Sequence, residues 1–170
     1  MRRLRYRVAV SLDGFIAGPN GEHDWIISDP EIDFAGLMKQ FDTLLVGRRT
    51  FEPMAKAKMT TMPGMKTVVF SRTLQAADHP EVTMISENAT EFVSDLRSQP
   101  GRDIWLFGGA QLFSGLAAAK LVDTVELGIM PALLGKGIAL ASQLPAPAKL
   151  KLTSQKIYKS GIIAVEYDMV

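Results

Sequence analysis

Apolar residues along this chain recur with two periods. Tyr6, Val8, Val10 and Leu12 alternate with Arg7, Ala9 and Ser11, the period of a strand. Short continuous apolar runs at Thr43–Val46, Thr67–Phe70, Val82–Ile85 and Ile104–Phe107 have the length and composition of buried parallel strands. Between them the spacing changes to that of a helix: Phe34, Leu37, Met38 and Phe41, then Phe92, Val93 and Leu96, then Leu112, Phe113 and Leu116. Ser28 or Asp29 is placed to cap the first helix, with Pro30 at its first position. Asn88 and Glu91 have capping-box spacing. Thr124–Met130 reads as another strand. Leu150–Tyr158 and Ile162–Tyr167 alternate around Lys159-Ser160-Gly161, the pattern of an antiparallel hairpin. Ser11–Trp25, with its Asn20-Gly21 turn signal, and the proline-bearing Leu144–Ala148 read as loops. The sum is an α/β chain, its sheet mostly parallel with an antiparallel C-terminal edge.

Three corners follow predicted strands and carry little bulk or much hydrogen-bonding capacity. Gly47 to Glu52 sets a glycine and then Arg48 and Arg49 at a helix start. Ser71-Arg72-Thr73 leaves the next strand, and Gly108-Gly109 precedes the helix of Leu112. Free backbone N–H groups at a helix start attract anions, and guanidinium groups offer paired donors to phosphate. In parallel sheets ligands sit outside the carboxyl ends of the strands, which is where all three corners lie. There is no GxGxxG, no P-loop and no GxSxG. Phosphate groups would therefore be held by separate corners rather than by one glycine-rich loop.

Composition narrows the classes. At 170 residues, 47% hydrophobic and 22% charged, residues 1–170 suit one globular domain. A formal net charge of +1 gives no reason to expect nucleic acid or an anionic membrane as partner. With no cysteine there is no disulfide, thiol nucleophile or Cys-based zinc site, which fits a reducing, cytoplasmic setting. His23 and His79 stand far apart in sequence, so no metal site is expected. Arg2, Arg3, Arg5 and Arg7 precede an apolar run that stops at Asp13, too soon for a secretory signal. The longest uncharged stretch, Ile104–Ala119, is too short and too polar to cross a bilayer.

Five segments in order, VSLDGFIAG (Val10–Gly18) with Gly21, LLVGRRTFE (Leu44–Glu52), VVFSRT (Val68–Thr73), IWLFGGAQLF (Ile104–Phe113) and VDTVELGIMPALLGKG (Val122–Gly137), resemble the dihydrofolate reductase superfamily. Within it they are most similar to the reductase domain of the bifunctional riboflavin-biosynthesis deaminase–reductase and its stand-alone relatives. The resemblance implies a three-layer αβα dihydrofolate-reductase-like fold, a homodimer, and NADPH extended across the carboxyl edge of the sheet. It places Gly47, Arg48 and Thr50 against cofactor phosphates, and Ser71 and Arg72 at the adenosine 2′-phosphate. Gly108, Gly109, Ala110, Gln111 and Leu112 fall at the pyrophosphate, and Ala9 and Ile16 near the nicotinamide. Two arginine-bearing corners also favour a cofactor with an extra phosphate.

The implied reaction is hydride transfer to a small imine or carbonyl substrate, of the kind of 5-amino-6-(5-phosphoribosylamino)uracil. Asp13 and Glu31 are the candidate proton donors, with Asp33 beside them, since a carboxyl buried near the nicotinamide would have a raised pKa. Trp25 is a candidate wall of the substrate site. Members that reduce folate carry an arginine where this chain has Met65, with Lys66 adjacent, so folate is not the expected substrate. Two alternatives stand beside the reductase: a non-catalytic nucleotide-binding or dimer-forming module on the same fold, and dihydrofolate reduction itself.

Overall fold

The computed structural model describes residues 1–170. Its ten strands are β1 (Leu4–Ser11), β2 (Phe15–Ala17), β3 (Phe41–Gly47), β4 (Lys66–Phe70), β5 (Thr83–Ile85), β6 (Asp103–Gly108), β7 (Thr124–Met130), β8 (Ile138–Ala139), β9 (Leu150–Ile157) and β10 (Ile163–Met169). The helices are α1 (Phe34–Met38), α2 (Arg48–Lys56), α3 (Ala89–Ser98) and α4 (Ala110–Ala118). Eight strands form one sheet in the order β5-β4-β3-β6-β1-β7-β10-β9, and β2 pairs with β8 in a sheet of two. Every pair from β5 through β7 is parallel, while β10 is antiparallel to both β7 and β9. This is the expected parallel sheet with an antiparallel edge, closed by the C-terminal hairpin.

Alternation within the strands sorts side chains onto two faces. Leu4, Tyr6, Leu45, Val68, Ile104, Leu106 and Val125 pack on one face against Val93 of α3 and Phe113, Leu116 and Ala117 of α4. Phe41, Leu44, Val46, Val69 and Trp105 pack on the other with Leu37 of α1 and Phe51 of α2. Helices therefore cover both faces, giving three αβα layers. Tyr6 stacks on Phe113 at 4.0 Å between ring centroids, tying the central strand to α4. Chain order places the turn from each of β3 and β6 into α2 and α4 on one edge of the sheet.

Several local expectations shift. The first helix starts after Asp33, whose side chain accepts from Gly36 N at 2.8 Å, not at Pro30. Asp29 is buried, and its carboxylate accepts from Glu31 N as a cap would and from Ser160 N, but the turn it closes ends at Ile32 and opens no helix at Pro30. Phe41 opens β3 rather than ending the helix, because a fully buried strand there has its own place in the core. Asn88 does sit before α3, but in a left-handed conformation with no side-chain cap bond, so the capping box is not made. The long loop Ser11–Trp25 contains β2, whose partner β8 lies more than a hundred residues later. No helix is long and apolar enough to cross a membrane.

Candidate functional site

Strand order brings the three corners together. β4, β3 and β6 are consecutive and parallel, so the residues leaving Phe70, Gly47 and Gly108 emerge side by side at one edge. At the middle corner Gly47 is the extended residue before α2, and at the next Gly109 occupies the same place before α4. A Cβ built on Gly47 would stand 3.5 Å from Gly109 N, 3.6 Å from Gly108 O and 3.8 Å from Leu112 Cβ. On Gly108, whose φ of +155° suits glycine, and on Gly109 it would meet Thr50 Oγ1 at 3.3 and 3.1 Å. The Gly108–Gly109 peptide is cis. Thus Gly47, Thr50, Gly108, Gly109 and Leu112 border a single notch.

Neither α2 nor α4 has a side-chain cap, and neither has an acidic residue in its first turn. Their leading N–H groups lack helical acceptors, and the positive ends of both dipoles face the same notch. Arg48 pairs with Glu52 at 2.9 Å across one helical turn, both side chains being well exposed. Such a surface pair contributes at most about 1 kcal/mol, so an incoming phosphate competes with Glu52 for Arg48. Arg49 and Gln111 are exposed, and Ala110, the first residue of α4, is buried.

The third corner opens into a cavity of about 520 Å³, within the range of small-molecule sites, lined by Phe70, Ser71, Arg72, Ile85 and the residues leading into α3. Ser71 is buried; its N–H donates to Ile85 O, and its hydroxyl oxygen accepts from Thr73 N at 3.2 Å and Leu74 N at 3.0 Å. Those bonds fix the turn and leave the hydroxyl hydrogen to donate. Arg72 is exposed and makes no ion pair. Asn88 and Ala89 add the uncapped start of α3 to this cavity, a contribution that the capping-box spacing had concealed.

At the other end of the groove Ala9 of β1 is half-buried and lies opposite Gly128 of β7, which in turn lies opposite Ala164 of β10. Ile16 is in β2, just beyond the end of β1. Trp25 lies on the loop that follows; its indole N–H donates to Glu22 O at 3.1 Å.

The carboxyl groups differ from expectation. Asp13 is exposed, and the Ser11 hydroxyl first, then the Gly135 and Leu134 amides, hold its carboxyl below the usual carboxylate range. A raised pKa was expected of a proton donor there; hydrogen bonds to the charged form reverse the sign. Glu31 is exposed and sits 3.6 Å from Lys159 and 3.9 Å from Lys156, at the turn of the terminal hairpin. Asp33 is engaged as the cap of α1. No group of histidine or acidic side chains is arranged to hold a metal ion.

Met65 is buried in the sheet face that α1 and α2 cover, and Lys66 beside it is exposed at the start of β4. Sequence reasoning missed one charged cluster entirely. Glu126 of β7 is buried and accepts from Arg5 Nε at 2.5 Å, Arg5 Nη2 at 3.0 Å and Arg7 Nη1 at 2.7 Å. It lies on the same sheet face as Ala9, one alternation below Gly128.

The model of the family described as the RibD C-terminal domain matches residues 2–164. An uncharacterized protein of Bacillus subtilis, YyaP, is 36% identical over 98% of this chain and 94% of its own length. Among solved structures, the Thermotoga maritima diaminohydroxyphosphoribosylaminopyrimidine deaminase/5-amino-6-(5-phosphoribosylamino)uracil reductase superposes with a TM-score of 0.73 at 18% identity, over 99% of this chain and 57% of that one. The dihydrofolate reductase of Enterococcus faecalis, complexed with NADP(H) and RAB-propyl, gives 0.69 at 19% identity over 98% and 94%. At these identities the two structures speak for the fold.

Proposed function

The chain belongs to the RibD C-terminal domain family, and from that premise we propose that it is an NADPH-dependent reductase of a small imine or carbonyl compound. The observation that carries the reading is the close approach of the Gly47 and Gly109 corners, where a Cβ added to Gly47 would lie 3.5 Å from Gly109 N, with two uncapped helix starts in one notch and the Ser71-Arg72 cavity one strand away. A dinucleotide with an extra phosphate needs this: one place for its pyrophosphate and a separate place, where Arg72 shares the lining with Glu87, for the third phosphate. The similar dihydrofolate reductase of E. faecalis, described with NADP(H), supports it.

The residues fit such a cofactor. Gly47, Arg48, Thr50, Gly108, Gly109, Ala110, Gln111 and Leu112 would hold the pyrophosphate through backbone N–H groups and one guanidinium. Ser71 and Arg72 would hold the 2′-phosphate, and Ala9 and Ile16 would flank the nicotinamide. When bound, the cofactor supplies a hydride to an electrophilic carbon. The protein orients the two reactants and limits water at the β1 end of the groove. With Met65 buried, the position beside it offers a folate carboxylate only the Lys66 point charge and no guanidinium fork, which favours a smaller substrate, of the pyrimidine-ribosylamine type, over dihydrofolate.

Titrating NADPH and NADH against the fluorescence of Trp105 and Trp25 tests the cofactor half. Tight NADPH binding with weaker NADH binding is expected; no binding of either at millimolar concentration overturns the proposal. A screen of imine and carbonyl compounds at saturating NADPH, followed by loss of nicotinamide absorbance, tests the reductase half.

A further inference from the structure

Asp13 is an exposed aspartate in a loop, yet its partners other than Ser11 are far away in the chain. Its carboxylate accepts from the Ser11 hydroxyl at 2.6 Å, from Leu134 N at 3.1 Å and from Gly135 N at 2.7 Å. An aspartate that merely shapes a turn bonds within its own loop; this one joins the loop after β1 to the loop after β7. The junction is built from both sides. Leu12 N donates to Ala132 O at 2.9 Å, Leu140 N donates to Gly14 O at 3.0 Å, and β2 pairs with β8. Gly14 and Gly135 have φ of +89° and +72°, conformations that other residues rarely adopt. A Cβ on Gly137 would lie 2.2 Å from Ala17 O, so only glycine allows this approach.

The junction stands where the groove ends. From the Ser71-Arg72 corner on β4, the carboxyl edge runs through β3 and β6 to β1. At the usual strand spacing that is about 14 Å. A dinucleotide anchored at Arg72 and lying over the Gly47–Gly109 notch therefore has its far half beside Ala9 and the residues that follow β1. Ile16 reaches that place only because β2 is held against β8.

We propose that Asp13 is a positioning residue: by clasping Leu134 and Gly135 it holds β2, and Ile16 with it, as the wall against which the nicotinamide half of the cofactor rests. This rests on the cofactor reading above. The carboxylate touches neither reactant; it acts through the loop, and the two loops move as one body because Asp13 binds them.

Two variants break the clasp from opposite sides. Asp13→Ala removes the acceptors, and Gly137→Ala pushes a methyl group into Ala17 O. Each is compared with wild type for binding NADPH and adenosine 2′,5′-bisphosphate, which occupies only the Arg72 half. Asp13→Ala should weaken NADPH about tenfold, as expected for losing charge-assisted bonds, and leave the bisphosphate unchanged; Gly137→Ala should do the same. Asp13→Asn, which keeps one acceptor oxygen, should fall between wild type and Asp13→Ala. Amide exchange at Leu134 and Gly135 should quicken in both Asp13 variants. NADPH binding equal to wild type in Asp13→Ala, or equal losses of both ligands, overturns the proposal. Wild-type protein that binds neither ligand overturns the cofactor reading itself, and the clasp's role with it.

Discussion

At the scale of single residues, the cationic groups at the groove are not equivalent. Arg72 has no ion pair and borders a cavity that also holds the buried Ser71 and the start of α3. Arg48 already shares its charge with Glu52. Arg72→Ala should therefore weaken NADPH by about 1–3 kcal/mol, the worth of a charge-assisted bond, while leaving NADH binding unchanged; parallel titrations of the two cofactors measure it. Arg48→Ala should cost both cofactors alike, because a pyrophosphate is common to them. Gly109→Ala is a third case. Its methyl group would press on Thr50 Oγ1 at 3.1 Å and stand in the notch itself, so it should reduce binding of both cofactors without lowering the melting temperature by more than a few degrees, a margin of about 1 kcal/mol in a chain of this size.

At the scale of elements, the corners were legible because their signal is local. A buried apolar run, a glycine and a helix start lie within a few residues of one another, and the parallel order then sets them side by side. What was not legible depended on partners distant in sequence. Arg5 and Arg7 look like a basic terminus next to an alternating strand, and alternation assigns them to solvent. Instead Arg5 is buried, because β1 is central and Glu126 comes beside it on β7. Asp29 carries every sign of a helix cap beside Pro30, yet Ser160 of the terminal hairpin claims it. β2 and β8 are three and two residues long, too short for any periodicity to show. Glu126 also yields the clearest stability prediction. Burial alone pushes its carboxyl up, but the hydrogen bonds and charges of Arg5 and Arg7 outweigh that and hold it below the usual range. Glu126→Ala would leave buried Arg5 with only the more distant carboxylate of Asp103, at 3.2 Å, and Arg7 with none, at a cost of about 3–5 kcal/mol. Urea unfolding of the variant against wild type reads that loss directly, and a change below about 1 kcal/mol, the worth of a surface pair, would show the cluster to be solvated in solution.

At the scale of the whole molecule, three of the carboxylates held below their usual range, those of Asp13, Asp29 and Glu126, bind distant segments together. Asp13 joins the loops after β1 and β7, Asp29 joins the approach to α1 to the hairpin turn at Ser160, and Glu126 joins β7 to β1. The shift of each is downward. A carboxyl with a lower pKa in the folded than in the unfolded chain adds stability that is complete above the unfolded value, near pH 4, and is lost as the pH falls through the folded one. The unfolded chain then takes up the protons, and acid favours it. The β3–β4–α2 half is held chiefly by apolar contacts among Phe41, Leu44, Val46, Phe51 and Val69, with Asp42 paired to Arg2 at the start of β3 and Glu81 on the connection from β4 to β5 as its acidic contacts. Acid should therefore act unevenly. Amide exchange, corrected for its intrinsic dependence on pH, should quicken below about pH 4 at residues 11–17, 131–140 and 158–162 before it does so in β3 and β4. The cofactor should be lost in the same range from its nicotinamide end, with adenosine 2′,5′-bisphosphate retained to lower pH. Uniform loss of protection across the sheet would mean that the clasps and the core yield as one unit, and that the carboxylates set the stability of the entire fold instead of the shape of its β1 edge.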